Sequence, residues 1–111
     1  MVLAIVDDLI FRGKLETAAA QLGAPLALSM TLSGIPQPGQ AWSRIPIDLN
    51  LSTGDALDIV RALRQAHPSV PVIGYYAHVQ EALGHAALDA GCSQVLPRSA
   101  FIRDLPRLLA G

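Results

Sequence analysis

The stretch Ile47-Asp48-Leu49-Asn50-Leu51-Ser52 places a carboxylate where an apolar run stops and a helix start begins. A second apolar run, Val2-Leu3-Ala4-Ile5-Val6, ends the same way in Asp7-Asp8. As neighbouring parallel strands, the two runs would bring three carboxylates to the carboxyl edge of one sheet, the side on which open α/β sheets place their ligands. Like charges crowded together repel, so the arrangement points to a bound cation.

Working outward, apolar strand-like runs alternate with segments of helical period, the pattern of a parallel sheet covered on both faces. Strands are expected near Val2 to Val6, Leu26 to Ser29, Ile45 to Leu49, Val72 to Tyr75 and Gln94 to Leu96. Between the first two, Phe11, Leu15, Ala18 and Leu22 form one helical stripe that Gly23 terminates. Ser52-Thr53-Gly54-Asp55 has capping-box spacing and announces a helix carrying Ala56, Val60 and Leu63 on one face. A third helix carries Val79, Leu83, Ala86 and Ala90 and stops at Gly91, and a short last one follows Ser99, limited by Pro106. From Thr31 to Ser43, Gly34, Pro36, Pro38 and Gly39 break any helical reading, so the second helix of an alternating fold is expected to be short or absent. Pro46 is unusual inside a central strand.

The chain has 111 residues, 51% of them hydrophobic, which suits one domain over residues 1–111 with a core large enough to fold without staples. A net charge of −1 with only 15% charged residues offers no footprint for a phosphate backbone, so nucleic-acid binding by this domain is not expected. Cys92 is the only cysteine, which excludes an internal disulfide and suits a reducing compartment. Nothing reaches the length of a membrane span, and a cytoplasmic location is expected.

The order Ile5-Val6-Asp7-Asp8, then Asp48-Leu49-Asn50-Leu51, then Pro71-Val72-Ile73 through Ala77-His78, then Ala90-Gly91 and Val95-Leu96-Pro97-Arg98 resembles the receiver domain of two-component response regulators. The resemblance covers nearly the whole chain and is weakest over residues 30–43. It implies a doubly wound, five-stranded, flavodoxin-like sheet in the order 2-1-3-4-5, of the chemotaxis-regulator type. It further implies Asp48 as phosphoacceptor, Asp7 and Asp8 as the acidic pair that holds Mg²⁺, and the Asn50 backbone carbonyl as a further ligand. A histidine kinase or phosphotransfer protein as donor, and output through protein–protein contact, follow from the same resemblance.

Four positions depart from the family. Where it places a small hydroxyl residue after the fourth strand stands Tyr76, and where it places a lysine after the fifth stands Arg98, followed by Ser99 rather than proline. Its fifth-strand aromatic is Val95 here. Arginine keeps the charge but presents a bulkier planar fork. A tyrosine hydroxyl at the end of a ring cannot make the short-range contact of a threonine, and the ring is expected to fill or cover the pocket instead. These departures make the sequence an atypical receiver and leave a phosphorylation-independent interaction or dimerisation module as the alternative.

Plainer roles stand beside these. Asp7 and Asp8 suit the cap of the first helix, and Asp48 suits a turn before Ser52. His78 and His85 suit a solvated face, and Cys92 a small buried position. Trp42 is expected to cover sheet surface left bare by the reduced helix, with anchoring of a partner as its other use. That side of the sheet, or the face from the fourth strand to the last helix, is the expected place of a homodimer contact. No hydrolase signature is present, and the one enzyme reading, an aspartate-nucleophile phosphatase, needs a second aspartate where Asn50 stands, so no enzyme activity is expected. The chain holds no output domain, so alone it would act by sequestration, scaffolding or phosphate relay.

Overall fold

The computed structural model describes residues 1–30, 42–77 and 80–110. Its elements, in chain order, are β1 (Val2–Ile5), α1 (Leu9–Leu22), β2 (Leu26–Ser29), β3 (Ile45–Asp48), α2 (Ala56–Ala66), β4 (Val72–Tyr76), α3 (Glu81–Ala90), β5 (Gln94–Pro97), α4 (Arg98–Arg103) and α5 (Leu105–Ala110). All strand pairs are parallel, in the order β2-β1-β3-β4-β5. This is the doubly wound order expected from the sequence. The expectation of a short or absent second helix falls on residues 31–41, outside the described residues.

Strand alternation sends successive side chains to opposite faces. Val2, Ala4, Val6, Ile73 and Tyr75 meet α1, α4 and α5 through Phe11, Leu15, Phe101, Leu105 and Leu108. Leu3, Ile5, Ile45, Ile47 and Val72 meet α2 and α3 through Ile59, Val60, Leu63 and Ala87. Trp42 joins this second core and is 6% exposed, which matches its expected use as cover for the sheet.

Pro46 is accommodated because of the side its nitrogen faces. Ile45 and Leu49 donate their backbone N–H groups to β4 carbonyls or the residue just before it, at 2.9 and 2.8 Å, so the alternate position 46 points toward β1. The β1–β3 ladder is correspondingly sparse, with the pair Ile5 and Ile47 and an isolated bridge between Val2 and Arg44. A missing donor therefore breaks a ladder that is already interrupted.

Four local expectations need correction. The buried row of α1 is Phe11, Leu15 and Ala19, whereas Ala18 is half-buried and Leu22, at the end of the helix by the sheet's amino edge, is 45% exposed. The buried positions of α3 are Gly84 and Ala87, with Leu83, Ala86 and Ala90 half-buried, and the Tyr76 ring packs against the helix at Gly84. Val79 lies outside the described residues. Ser52 to Asp55 do not form a capping box. They make a turn closed by the Gly54 N–H to Leu51 at 3.0 Å, with Gly54 at φ 76°, and Asp55 makes no side-chain cap bond. The Ser52 hydroxyl donates instead to the Asp7 carboxylate, a charged acceptor that outcompetes a cap role. Finally, the last helix is two helices joined at Asp104, since Pro106 has no N–H to continue the first.

Candidate functional site

The carboxyl ends of β1, β3, β4 and β5 open on a cavity of about 270 Å³ lined by Asp7, Asp8, Asp48, Asn50, Ser52, Tyr75, Ala77 and Arg98. The topology dictates this meeting. β1 and β3 are neighbours at the sheet's centre, so the acids following one and ending the other share an edge.

Asp48 is 7% exposed and is one of two buried polar residues among the described residues. Its Oδ1 accepts the Asn50 backbone N–H at 2.8 Å. Burial pushes its carboxyl above the usual range, Asp7 and Asp8 push the same way, and the Asn50 N–H and Arg98 pull it down. A buried carboxylate with a single local hydrogen bond is costly to keep ionised.

Asp8 is the cap of α1, its Oδ1 accepting the N–H groups of Ile10 at 2.9 Å and Phe11 at 3.1 Å. Its Oδ2 accepts from the Arg98 guanidinium at 3.1 Å. The Phe11 N–H first, then Arg98, holds the carboxyl below its usual range. The plainer capping role is therefore met by a side chain that also lines the cavity. Asp7 faces the other way: its Oδ2 accepts the Ser52 backbone N–H at 2.9 Å and the Ser52 hydroxyl.

Arg98, the first residue of α4, reaches across to Asp8 and lies over the Phe11 ring at 4.7 Å from its centre. The Asn50 side chain straps the loop after β4, accepting the Ala77 N–H at 2.9 Å and donating to Gln80 at 3.0 Å. Tyr76 does not line the cavity. It packs with the α2/α3 core against Gly84, so its ring neither fills nor covers the acidic pocket. His85 is exposed, and His78 lies outside the described residues. Cys92 is buried, and burial pushes its thiol up to about 11, which suits an inert packing residue.

The donor chemistry, three carboxylates with a nearby backbone carbonyl, fits a hard divalent cation. In this conformation, however, Asp7 is turned to Ser52 and Asp8 to Arg98. Among the described residues, no three acidic, His or Cys side chains are grouped tightly enough to hold an ion.

Ser52, Tyr75 and Ala77 line the cavity but were not among the expected site residues. Tyr75, 1% exposed, pairs in register with Asp48 across β3 and β4, so the two side chains leave the same face of the sheet. Its ring stacks on Phe101 at 4.3 Å and tilts against Phe11 at 5.0 Å. Burial first, then the Asp48 carboxylate, raises its phenol far above the usual range. The adjacent tyrosines are indistinguishable by residue type, and the strand parity that separates them was the available signal.

No protein-family model and no curated protein matches this sequence. Solved structures do. A response regulator from Burkholderia pseudomallei, solved with a phosphorylated aspartic acid, calcium and citrate, superposes with a TM-score of 0.82 at 19% identity, over 97% of this chain and 65% of that one. The receiver domain of the TMAO respiratory response regulator TorR gives 0.81 at 20% identity, over 94% and 88%. A CheY-like receiver domain from Methanospirillum hungatei gives 0.82 at 14% identity, over 96% and 86%. The chain has the receiver fold expected from its sequence, and it spans just under two thirds of the Burkholderia protein. No described helix is long and apolar enough to cross a membrane.

Proposed function

We propose that residues 1–111 form one atypical receiver domain of two-component or phosphorelay signalling, with Asp48 as phosphoacceptor and output through protein–protein contact. The observation that carries this reading is the buried Asp48 carboxylate, in one cavity with Asp7, Asp8 and Arg98 at the carboxyl edge of a receiver-type sheet. Asp48 would attack an incoming phosphoryl group, supplied by a histidine kinase or phosphotransfer protein, and form an acyl phosphate. Asp7, Asp8, Asp48 and the Asn50 carbonyl would hold Mg²⁺, which when bound supplies positive charge against the phosphoryl oxygens. Arg98 stands on the cavity wall and can engage phosphate with its fork. The domain is read as non-enzymatic, cytoplasmic and not a nucleic-acid binder, with a homodimer as a candidate assembly.

Incubation with Mg²⁺ and acetyl phosphate, followed by intact mass spectrometry, tests the reading. The expected result is a phosphate-sized gain in mass that Asp48→Asn abolishes. No gain, together with no thermal shift on adding Mg²⁺, sinks it.

A second reading has an observation of its own. Asp7 and Asp8 already have hydrogen-bond partners in Ser52 and Arg98 without a bound cation. That favours a phosphorylation-independent module for interaction or dimerisation, and the same experiment separates the two.

A further inference from the structure

Among the described residues, the Tyr75 hydroxyl is the one buried side-chain polar atom with no hydrogen-bond partner. Native structures rarely leave such a group unmade, because a buried donor without an acceptor carries its whole desolvation cost. Tyr75 is not a loosely packed ring that could turn to find water. Phe101 and Phe11 clamp it from two sides, and it is 1% exposed. It nonetheless lines the acidic cavity, on the same sheet face as Asp48 and in register with it.

The cavity, about 270 Å³, is many times the ~30 Å³ share of one water and has room for a tetrahedral oxyanion. Its walls already offer one cation, Arg98, and the backbone N–H of Asn50 at the Asp48 carboxylate. Tyr76, the neighbouring hydroxyl, is turned to the other face and packs on Gly84.

We propose that the Tyr75 hydroxyl is a ligand-contacting donor, held unpartnered so that it can donate its O–H to an oxyanion bound at Asp48. The inference rests on the reading of Asp48 as the oxyanion site. No proton is transferred: the phenol stays protonated and its hydrogen bond closes on the ligand oxygen. The hydroxyl oxygen is closed to solvent in the ligand-free structure, so the cavity wall has to open slightly around it as the ligand arrives, while the Phe11 and Phe101 rings hold the phenol's orientation.

The test uses the full chain with Mg²⁺ and beryllium fluoride, a tetrahedral phosphoryl mimic, comparing wild type, Tyr75→Phe and Tyr76→Phe by titration calorimetry and thermal unfolding. Tyr75→Phe keeps the ring and removes one oxygen. The expected result is beryllium fluoride affinity about tenfold lower in Tyr75→Phe, with Mg²⁺ affinity unchanged and the ligand-free protein melting higher, while Tyr76→Phe binds as wild type does. In wild type, the ¹³Cζ resonance of Tyr75 should move when beryllium fluoride is added. Equal affinity in Tyr75→Phe and wild type overturns the role of Tyr75 alone, as does an equal loss of Mg²⁺ affinity, which would mark a structural effect. Failure of wild type to bind beryllium fluoride overturns the oxyanion site itself, and the role of Tyr75 with it.

Discussion

The two edges of the sheet treat their polar groups in opposite ways. At the amino edge of β4 and β5, Arg64 donates to the carbonyls of His67 at 3.2 Å, Pro68 at 3.0 Å, Val70 at 2.9 Å and Gly91 at 2.7 Å, and to the Ser93 hydroxyl at 3.2 Å. The cation thereby joins the end of α2 to the turns before two strands, where backbone acceptors would otherwise lack partners. At the carboxyl edge, the comparable arginine, Arg98, has one carboxylate and a ring face, Asp48 is buried with its carboxyl raised, and the Tyr75 hydroxyl has nothing. Satisfied groups hold a fold together, and unsatisfied ones store the capacity to bind.

The largest expected effect on stability therefore lies at the amino edge. Arg64→Ala should cost about 2–4 kcal/mol in urea unfolding, because several carbonyls lose a charged donor at once. A loss no larger than that of an exposed arginine would dissolve the contrast between the edges. Next comes Gly91→Ala, at about 1–3 kcal/mol: φ is 132°, and an added Cβ would stand 2.9 Å from Arg64 Cβ. A double mutant with Arg64→Ala should recover little of that cost, since the nearest obstructing atom, the Cβ at position 64, remains in alanine and the φ of 132° still disfavours a side chain.

The opposite sign is expected at the carboxyl edge. Asp48→Asn should stabilise the ligand-free protein at neutral pH by about 1 kcal/mol, by removing a buried like charge beside Asp7 and Asp8 while keeping an acceptor for the Asn50 N–H. Because the native state holds the Asp48 proton more tightly than the unfolded chain, its penalty is absent below the ordinary value of 3.8 and develops as pH rises through the raised native value. The gain in Tm from Asp48→Asn should accordingly shrink toward zero on acidification. Asp8 works in the other direction: its lowered carboxyl contributes stability above 3.8 that is lost as pH falls through the native value. A gain that persists at acid pH would show that relieved charge is not its cause.

The smallest change in stability is expected for Arg98→Gln. The pair it makes with Asp8 is 33% and 40% exposed on its two sides, and exposed pairs are screened by water and salt. The urea midpoint should barely move, while Mg²⁺ should raise Tm more than in wild type because Asp8 is released. A large loss of stability would place Arg98 with Arg64, as a structural cation, and break the comparison.

Some of this was legible in residue order alone. Short apolar runs bounded by helix starts marked five strands and their sequence positions, and the acids after β1 and at the end of β3 followed from where those runs stop. A strand's end is a local property, set by the first polar residue that cannot enter the core. The alternating α/β class was legible for the same reason, while the receiver type and its strand order came from the resemblance carried by the order of the motifs.

What was not legible depends on partners far away in sequence. Ser52 was read as a cap because its spacing to Asp55 is right, yet Asp7, brought near through strand pairing, captures its hydroxyl. Arg64 carried no motif, since its acceptors are carbonyls that any residues could supply. The neighbours Tyr75 and Tyr76 offer the same chemistry, and only the packed sheet sends one into the acidic cavity between Phe11 and Phe101 and the other onto Gly84. Sequence determined which groups would be present at the edge of the sheet. Tertiary structure decided which of them found partners, because hydrogen bonds and burial are settled by the whole set of neighbours and not by spacing along the chain.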